Sequence, residues 1–258
     1  MTNLPFYIET SFEKEIFNKC LEQKLPLLLK GPTGTGKSRF VERMTAERGL
    51  ELYTVACHEE TSATDLIGRY IIKGAETVWI DGPLSLAIRN GAILYLDEIA
   101  EARPDIIVAI HSVTDHRRTL FIDKTGETIK ANDNFMLIAS YNPGYQKGFK
   151  ELKPSTRQRF VSLEFEYSSP ELEVDILINE TGCDKNIAKK LVKVAIKIRN
   201  LSELGLAESV STRLLVDCCK LIKAGINPRV AAQCAITSPL TDQEDTRDAL
   251  NDLISMIL

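Results

Sequence analysis

The chain of 258 residues has no apolar run approaching the ~18–20 residues needed to span a bilayer, so no segment is expected to insert into a membrane. Its start, Met1-Thr2-Asn3-Leu4-Pro5, lacks the basic region and apolar stretch of an export signal, which leaves a cytoplasmic location as the expectation. Histidines number only three (His58, His111, His116) and form no ligand set, since His111 and His116 lie five apart and would point to different sides of a helix. The six cysteines (Cys20, Cys57, Cys183, Cys218, Cys219, Cys234) contain no Cys-x-x-Cys pair, and several sit in apolar, helix-compatible surroundings. A zinc site is therefore not expected, and buried, reduced thiols are. With 32 basic against 36 acidic residues the chain has no global attraction to nucleic acid. Internal repeats, low-complexity tracts and an Asn-Lys-x-Asp guanine motif are absent as well. The 44% hydrophobic content is enough for a large core, sized for one sizeable domain and a small second one.

What is present begins at residues 31–38, Gly31-Pro32-Thr33-Gly34-Thr35-Gly36-Lys37-Ser38, a full phosphate-loop pattern. Glycines let backbone N–H groups close around phosphates, Lys37 supplies a point charge to the β and γ groups, and the Ser38 hydroxyl suits a Mg²⁺ ion. The flanks fit: an apolar run at 25–29 reads as a buried strand, and a helix is expected from Lys37 to Arg48, stopped by Gly49.

Further apolar runs at 52–56, 92–96, 135–139 and 161–165 alternate with helix-compatible stretches, which predicts a parallel, doubly wound α/β sheet. Two pairs of short β-like segments interrupt the alternation, 70–73 with 77–80 around Gly74-Ala75-Glu76, and 119–122 with 127–130. Both predict β-hairpins projecting from the core. Trp79 and Phe121 on them are candidate contact residues, although hairpin aromatics more often pack across strands. After Ser168-Ser169-Pro170 only helical patterns follow, at 171–180, 185–200, 212–224, 229–236 and 243–258, punctuated by Gly182, Gly205, Gly225 and Pro228. The expected division is a nucleotide-binding α/β core over 1–169 and a small all-helical domain over 170–258.

Candidate chemistry gathers where strands end. The 92–96 run leads into Asp97-Glu98, at the edge where open α/β sheets bind ligands. Asp97 suits the Mg²⁺ shell together with Ser38, and Glu98 suits polarising a water for attack on the γ-phosphate. Asn142, after the 135–139 run, lies at the same edge, where a neutral amide can bond both γ-phosphate and water; Asn142-Pro143-Gly144 also reads simply as a turn. Arg157 and Arg159 precede the last core strand. Phosphoryl transfer needs a cation for charge spreading over the γ oxygens, and a neighbouring subunit often supplies it. Arg213 opens a helix behind a plausible Ser211 N-cap, where a cation opposes the helix dipole and hints at a phosphate partner.

In this order the phosphate loop, Asp97-Glu98, Asn142, Arg157/Arg159 and Arg213 resemble the Walker A, Walker B, sensor 1, arginine finger and sensor 2 of an AAA+ ATPase. The two hairpins resemble insertions of its MoxR branch. Closer wording, in Thr64-Asp65-Leu66-Ile67-Gly68-Arg69, Asp81-Gly82-Pro83-Leu84, Ser140-Tyr141-Asn142-Pro143-Gly144-Tyr145 and residues 152–160, is similar to the CbbQ/NirQ/NorQ group, with the gas-vesicle protein GvpN a near relative. The resemblance implies ATP rather than GTP, Mg²⁺, a helical lid, and a ring, typically a hexamer. It also implies a von Willebrand factor A domain partner and a remodelled client enzyme such as rubisco or nitric oxide reductase. Arg159, directly before Phe160, is the first choice of finger and Arg157 the second, and the hairpins are the expected surface for a client or central pore. The alternative is a nucleotide-gated assembly factor of GvpN type, in which turnover is incidental. A DNA-acting ATPase fits the acidic balance poorly, and a small-molecule kinase would leave the sensor and finger residues unexplained.

Overall fold

Nine strands follow one another as β1 (Leu27–Lys30), β2 (Leu52–Ala56), β3 (Gly68–Lys73), β4 (Glu76–Asp81), β5 (Ile93–Asp97), β6 (Thr119–Ile122), β7 (Glu127–Lys130), β8 (Met136–Tyr141) and β9 (Val161–Glu164) among the described residues, which are 4–143, 152–201, 206 and 208–258 of a computed structural model. Five of them pair in parallel in the order β2-β5-β8-β1-β9. Successive side chains of the central strands enter opposite clusters. Leu28, Leu94, Leu96, Leu137 and Ala139 join one, and Leu27, Leu29, Ile93, Tyr95, Met136 and Ile138 the other. Both faces of the sheet are therefore covered, which is why its strands read as continuous apolar runs.

Strand order positions the site. β8 comes late in the chain yet lies between β1 and β5. Its register sets Leu29 beside Ser140 on one side and Leu96 beside Ala139 on the other. The C-terminal ends of three neighbouring strands thus run out together, carrying Gly31, Asp97-Glu98 and Asn142 to one edge.

The hairpins pair as expected, β3 with β4 and β6 with β7, both antiparallel, but the second does not simply project, because Leu120, Ile122 and Ile129 are buried in the core. Arg89, in the helix Pro83–Asn90, ties their bases together through Asp81 (Nε to Oδ2, 2.8 Å) and a two-pronged pair with Glu127 (2.7 and 2.6 Å). Trp79 is a packing residue: its ring meets Tyr70 edge-on at 5.2 Å and its indole N–H donates to Asp81 at 2.7 Å. Phe121 remains exposed, as do Tyr70 and Ile72.

By contact density the chain divides into one unit of Met1–Gly31 with Gly36–Phe165 and another of Pro32–Thr35 with Glu166–Leu258. The second is built from the helices Pro170–Thr181, Lys185–Arg199, Thr212–Lys223, Pro228–Ala232 and Glu244–Ser255, around Leu177, Leu191, Ala195, Leu215, Ile236 and Leu250. Caps appear where the sequence places them: Ser211 accepts from Leu214 N–H, and Asn227 caps a helix with Pro228 in its first position. The stretch expected as a continuous helix over 229–236 instead changes at Gln233–Thr237 into a π turn. Pro239 has no N–H to offer the Ala235 carbonyl and its ring would crowd that carbonyl, so a widened turn accommodates it. Five of the six thiols are buried, while Cys234 is exposed. Gly144, Tyr145 and Gly205 lie outside the described residues.

A buried ion pair ties this unit together. Arg199 grips both carboxylate oxygens of Glu173 at 2.7 and 2.8 Å, donates to the Val210 carbonyl at 2.8 Å, and lies 3.9 Å from the Tyr167 ring centroid. Thr212 Oγ1 also donates to Glu173 at 2.7 Å. Glu173→Ala strands a guanidinium that is only 13% exposed, and is expected to destabilise the unit by about 3–5 kcal/mol. Urea unfolding followed by far-UV circular dichroism checks this; a loss below about 1 kcal/mol would make the pair incidental to stability.

Candidate functional site

Gly31 leaves β1 at φ +151°, and a Cβ there would lie 2.1 Å from the Phe165 carbonyl oxygen, so no other residue fits without moving backbone. The loop that follows is held by its own atoms: Thr35 Oγ1 donates to the Pro32 carbonyl at 2.9 Å, and Lys37 Nζ to the Gly31 carbonyl at 2.7 Å. Gly36 caps the helix Lys37–Arg48 without any side-chain hydrogen bond. Its first-turn N–H groups and dipole make this end suited to phosphate.

Asp97 terminates β5 at the centre of a hydroxyl cluster. Its Oδ2 accepts from Ser38 Oγ at 3.3 Å, and its Oδ1 accepts from Tyr95 OH at 2.7 Å and from Ser140 Oγ. Ser38 and Tyr95 hydroxyls are 3.3 Å apart. Burial, then the Asp97 charge, raises the Tyr95 phenol well above its ordinary range, so it remains a donor. The Ser38 hydroxyl and a free lone pair on Asp97 form an all-oxygen set suited to a small hard cation that keeps water or phosphate as its other ligands. No group of three or more His, Cys, Asp or Glu that could hold a metal ion is found among the described residues.

Glu98 is exposed and sits at φ +54°, a left-handed backbone uncommon for a side chain of its kind; its N–H donates to Ser140 Oγ at 3.1 Å. Cys57, after β2, donates its N–H to the Asp97 carbonyl at 2.8 Å. Burial first, then the charges of Asp97 and Glu98, push its thiol up to about 12, which keeps it neutral beside the two carboxylates. Asn142 follows β8 directly and is half-buried, one position beyond the strand that separates β1 from β5.

The two candidate fingers differ in exposure. Arg157 ends the short helix Pro154–Arg157 and is half-buried, whereas Arg159 is exposed in the turn beyond it. Thr156 is buried and Phe160 packs against the core, which anchors the turn on both sides of Arg159. Burial, then the Arg159 charge, holds His111 below the ordinary imidazole range, so a neutral ring accompanies Arg159 at neutral pH. Arg213 belongs to the second unit, exposed in the first turn of Thr212–Lys223. Within that unit the cap residue Ser211 abuts the loop tip: a Cβ on Gly34, at φ +74°, would lie 2.4 Å from Ser211 Cβ. Tyr167 OH reaches the Thr33 carbonyl at 3.4 Å, and Thr33 Oγ1 reaches Glu208 at 3.0 Å.

The structure thus brings Ser38 and Asp97 together, with Glu98 joined to Asp97 through Ser140. Sequence reasoning passed over Tyr95 and Ser140. Each is a hydroxyl inside an otherwise apolar buried strand, and that polarity in a core position was the available signal.

Residues 26–160 match the family described as AAA domain (dynein-related subfamily), and residues 173–257 match the CbbQ/NirQ/NorQ C-terminal family. The chain is 53% identical to Protein NorQ of Paracoccus denitrificans, covering 98% of this chain and 94% of the relative. It is 48% identical to the denitrification regulatory protein NirQ of Pseudomonas aeruginosa (98% and 97% covered) and 50% identical to Protein CbbQ of Hydrogenophilus thermoluteolus (95% and 92% covered). Among solved structures, a RuvB point mutant from Thermotoga maritima superposes with a TM-score of 0.56 at 15% identity, covering 95% of this chain and 70% of that one. The last likeness speaks for the fold alone.

Proposed function

The chain belongs to the CbbQ/NirQ/NorQ family of AAA ATPases, and from that premise we propose that it works as a ring-forming, Mg²⁺-dependent motor. In this reading it spends ATP to activate or mature a client enzyme of the rubisco or nitric oxide reductase class, with a von Willebrand factor A domain protein as partner. An ATPase of the activase kind follows from the family itself. Ring, hexamer, partner and client are the proposal. No described helix is long and apolar enough to cross a membrane.

The observation that carries the reading is the contact of Ser38 with Asp97 at the common end of β1 and β5, with Glu98 next along the chain. A binding-only protein needs the loop; it has no need of a second carboxylate held beside the first. The residues from Gly31 to Ser38, with Pro32, Thr33, Gly34, Thr35 and Gly36 between, would wrap the triphosphate. Ser38 and Asp97 would hold Mg²⁺, which neutralises charge on the β and γ oxygens when bound. Glu98 would take the proton of the attacking water, Asn142 would hold the water and γ-phosphate in line, and Arg213 would join the phosphates from the helical lid over 170–258. Arg159, with Arg157 second, would reach the site of a neighbouring subunit. Exposed Ile72 and Phe121 make the hairpins the candidate client-facing surface.

Lys37→Ala tests the nucleotide site. Removing the ammonium is expected to weaken ATP binding by about 2–5 kcal/mol, roughly 30-fold or more, measured with a fluorescent ATP analogue. Affinity within about 3-fold of the parent would show that the loop does not grip the phosphates this way.

A further inference from the structure

We infer that Ser140 is a positioning residue that links the Asp97 carboxylate to the backbone of Glu98 in the hydrolytic site, an inference that rests on the roles proposed for Asp97 and Glu98. Ser140 lies on β8 and is fully buried. A hydroxyl has one proton to give and lone pairs to accept with. Here the proton goes to Asp97 Oδ1, and a lone pair receives the Glu98 N–H at 3.1 Å. One oxygen atom therefore touches the side chain of the metal-side acid and the backbone of the water-side acid.

Each contact has a geometric consequence. On the metal side, Oδ1 of Asp97 is already engaged by Tyr95 OH at 2.7 Å, and with Ser140 it carries two hydroxyl donors. That fixes the plane of the carboxylate and leaves Oδ2 turned to Ser38, 3.3 Å away. On the water side, Glu98 takes a left-handed backbone, φ +54°, on leaving β5. Non-glycine residues hold that conformation when neighbours over-determine it, and the hydrogen bond to Ser140 fixes the N–H side of Glu98 while Glu101 N–H, donating to its carbonyl at 2.9 Å, fixes the other. Strand order makes the arrangement possible: β8 lies between β1 and β5, so a residue on it reaches the loop side and the carboxylate side together. Ser140 touches neither nucleotide nor water in this account; it sets where Asp97 and Glu98 stand.

A buried hydroxyl serving stability alone would lower turnover in the same proportion whatever stands at position 98. A residue that positions Glu98 would lose its effect once Glu98 is disarmed, so a double-mutant cycle separates the two. Ser140→Ala is expected to lower kcat for ATP roughly 10–100-fold with KM changed less than about 3-fold, while Ser140→Thr, which keeps the hydroxyl, returns kcat to within about 3-fold of the parent. In a Glu98→Gln background the same Ser140→Ala change is expected to cost less than about 3-fold further. The metal side is read without turnover: binding of a fluorescent ATP analogue to Glu98→Gln protein is titrated with Mg²⁺. Tyr95→Phe and Ser140→Ala should each raise the half-saturating Mg²⁺ concentration about 3–10-fold. Should Ser140→Ala fail to fold, Ser140→Cys, close in size but a weak donor and acceptor, takes its place with the same expectations.

An equal loss of kcat in both backgrounds, a threonine that does not rescue, or an unmoved Mg²⁺ titration overturns the inference. If Glu98→Gln is inactive while Ser140→Ala keeps the parental rate, the inference alone falls. If Glu98→Gln itself hydrolyses ATP at the parental rate, the roles beneath it fall first.

Discussion

Glu98→Gln is expected to bind ATP with parental affinity and to hydrolyse it roughly 10²–10⁴-fold more slowly, the usual contribution of a positioned general base. The change removes the proton acceptor and one charge while keeping the size and hydrogen-bonding reach of the side chain. The left-handed turn at Glu98 and its N–H bond to Ser140 belong to the backbone, so the substitution leaves them in place. Lys37, Ser38 and Asp97 stay as they are, which is why binding and turnover should separate. At 1.36 kcal/mol per tenfold, the loss amounts to about 3–5 kcal/mol of transition-state stabilisation. The check is a steady-state phosphate-release assay beside equilibrium binding of a fluorescent nucleotide. Parental turnover would remove Glu98 from the mechanism; a parallel collapse of binding would mean that the residue shapes the pocket instead.

Arg159→Ala carries the other large effect, roughly 10³–10⁵-fold on kcat, the range over which an arginine finger acts. Arg159 is exposed in an anchored turn, whereas Arg157 is half-buried. The informative experiment mixes variants. An Arg159→Ala subunit keeps its own Glu98, and a Glu98→Gln subunit keeps its own Arg159. If the finger acts across an interface, mixing two inactive proteins rebuilds some sites with both groups, and activity returns in proportion to the mixed contacts. If Arg159 serves its own subunit, no mixed site is complete and the mixture stays inactive although the chains co-assemble. A modest loss for Arg159→Ala with a large one for Arg157→Ala would instead select Arg157. Size-exclusion chromatography with light scattering shows whether the chains associate, as this role requires.

How much of this was legible beforehand depends on the range of the interactions involved. The phosphate loop, the helix after it and the hairpin β6–β7 form where local pattern places them, because glycine freedom, capping and alternation act over a few residues. Strand ends were less legible: β1 starts at Leu27, two residues into its apolar run, and β8 continues through Ser140 and Tyr141 beyond the run that predicted it. Hydrophobicity marks burial, whereas a strand end is set by how far its neighbours go on pairing, and β1 pairs β8 as far as Tyr141. The π turn at Gln233–Thr237 escaped for a similar reason, since a proline's effect on the turn before it depends on packing around both.

The sequence by itself determined that a loop of phosphate-binding pattern is present, that acids stand at the end of a buried strand, and that a helical region follows an α/β one. Those properties reside in contiguous residues, whose spacing settles their chemistry. Only the tertiary structure decided that β8 slots between β1 and β5, and with it that Ser140 meets Asp97 and Glu98. Parallel strands are joined by long crossovers and paired by backbone hydrogen bonds common to every residue type, so their lateral order leaves no local mark in the chain.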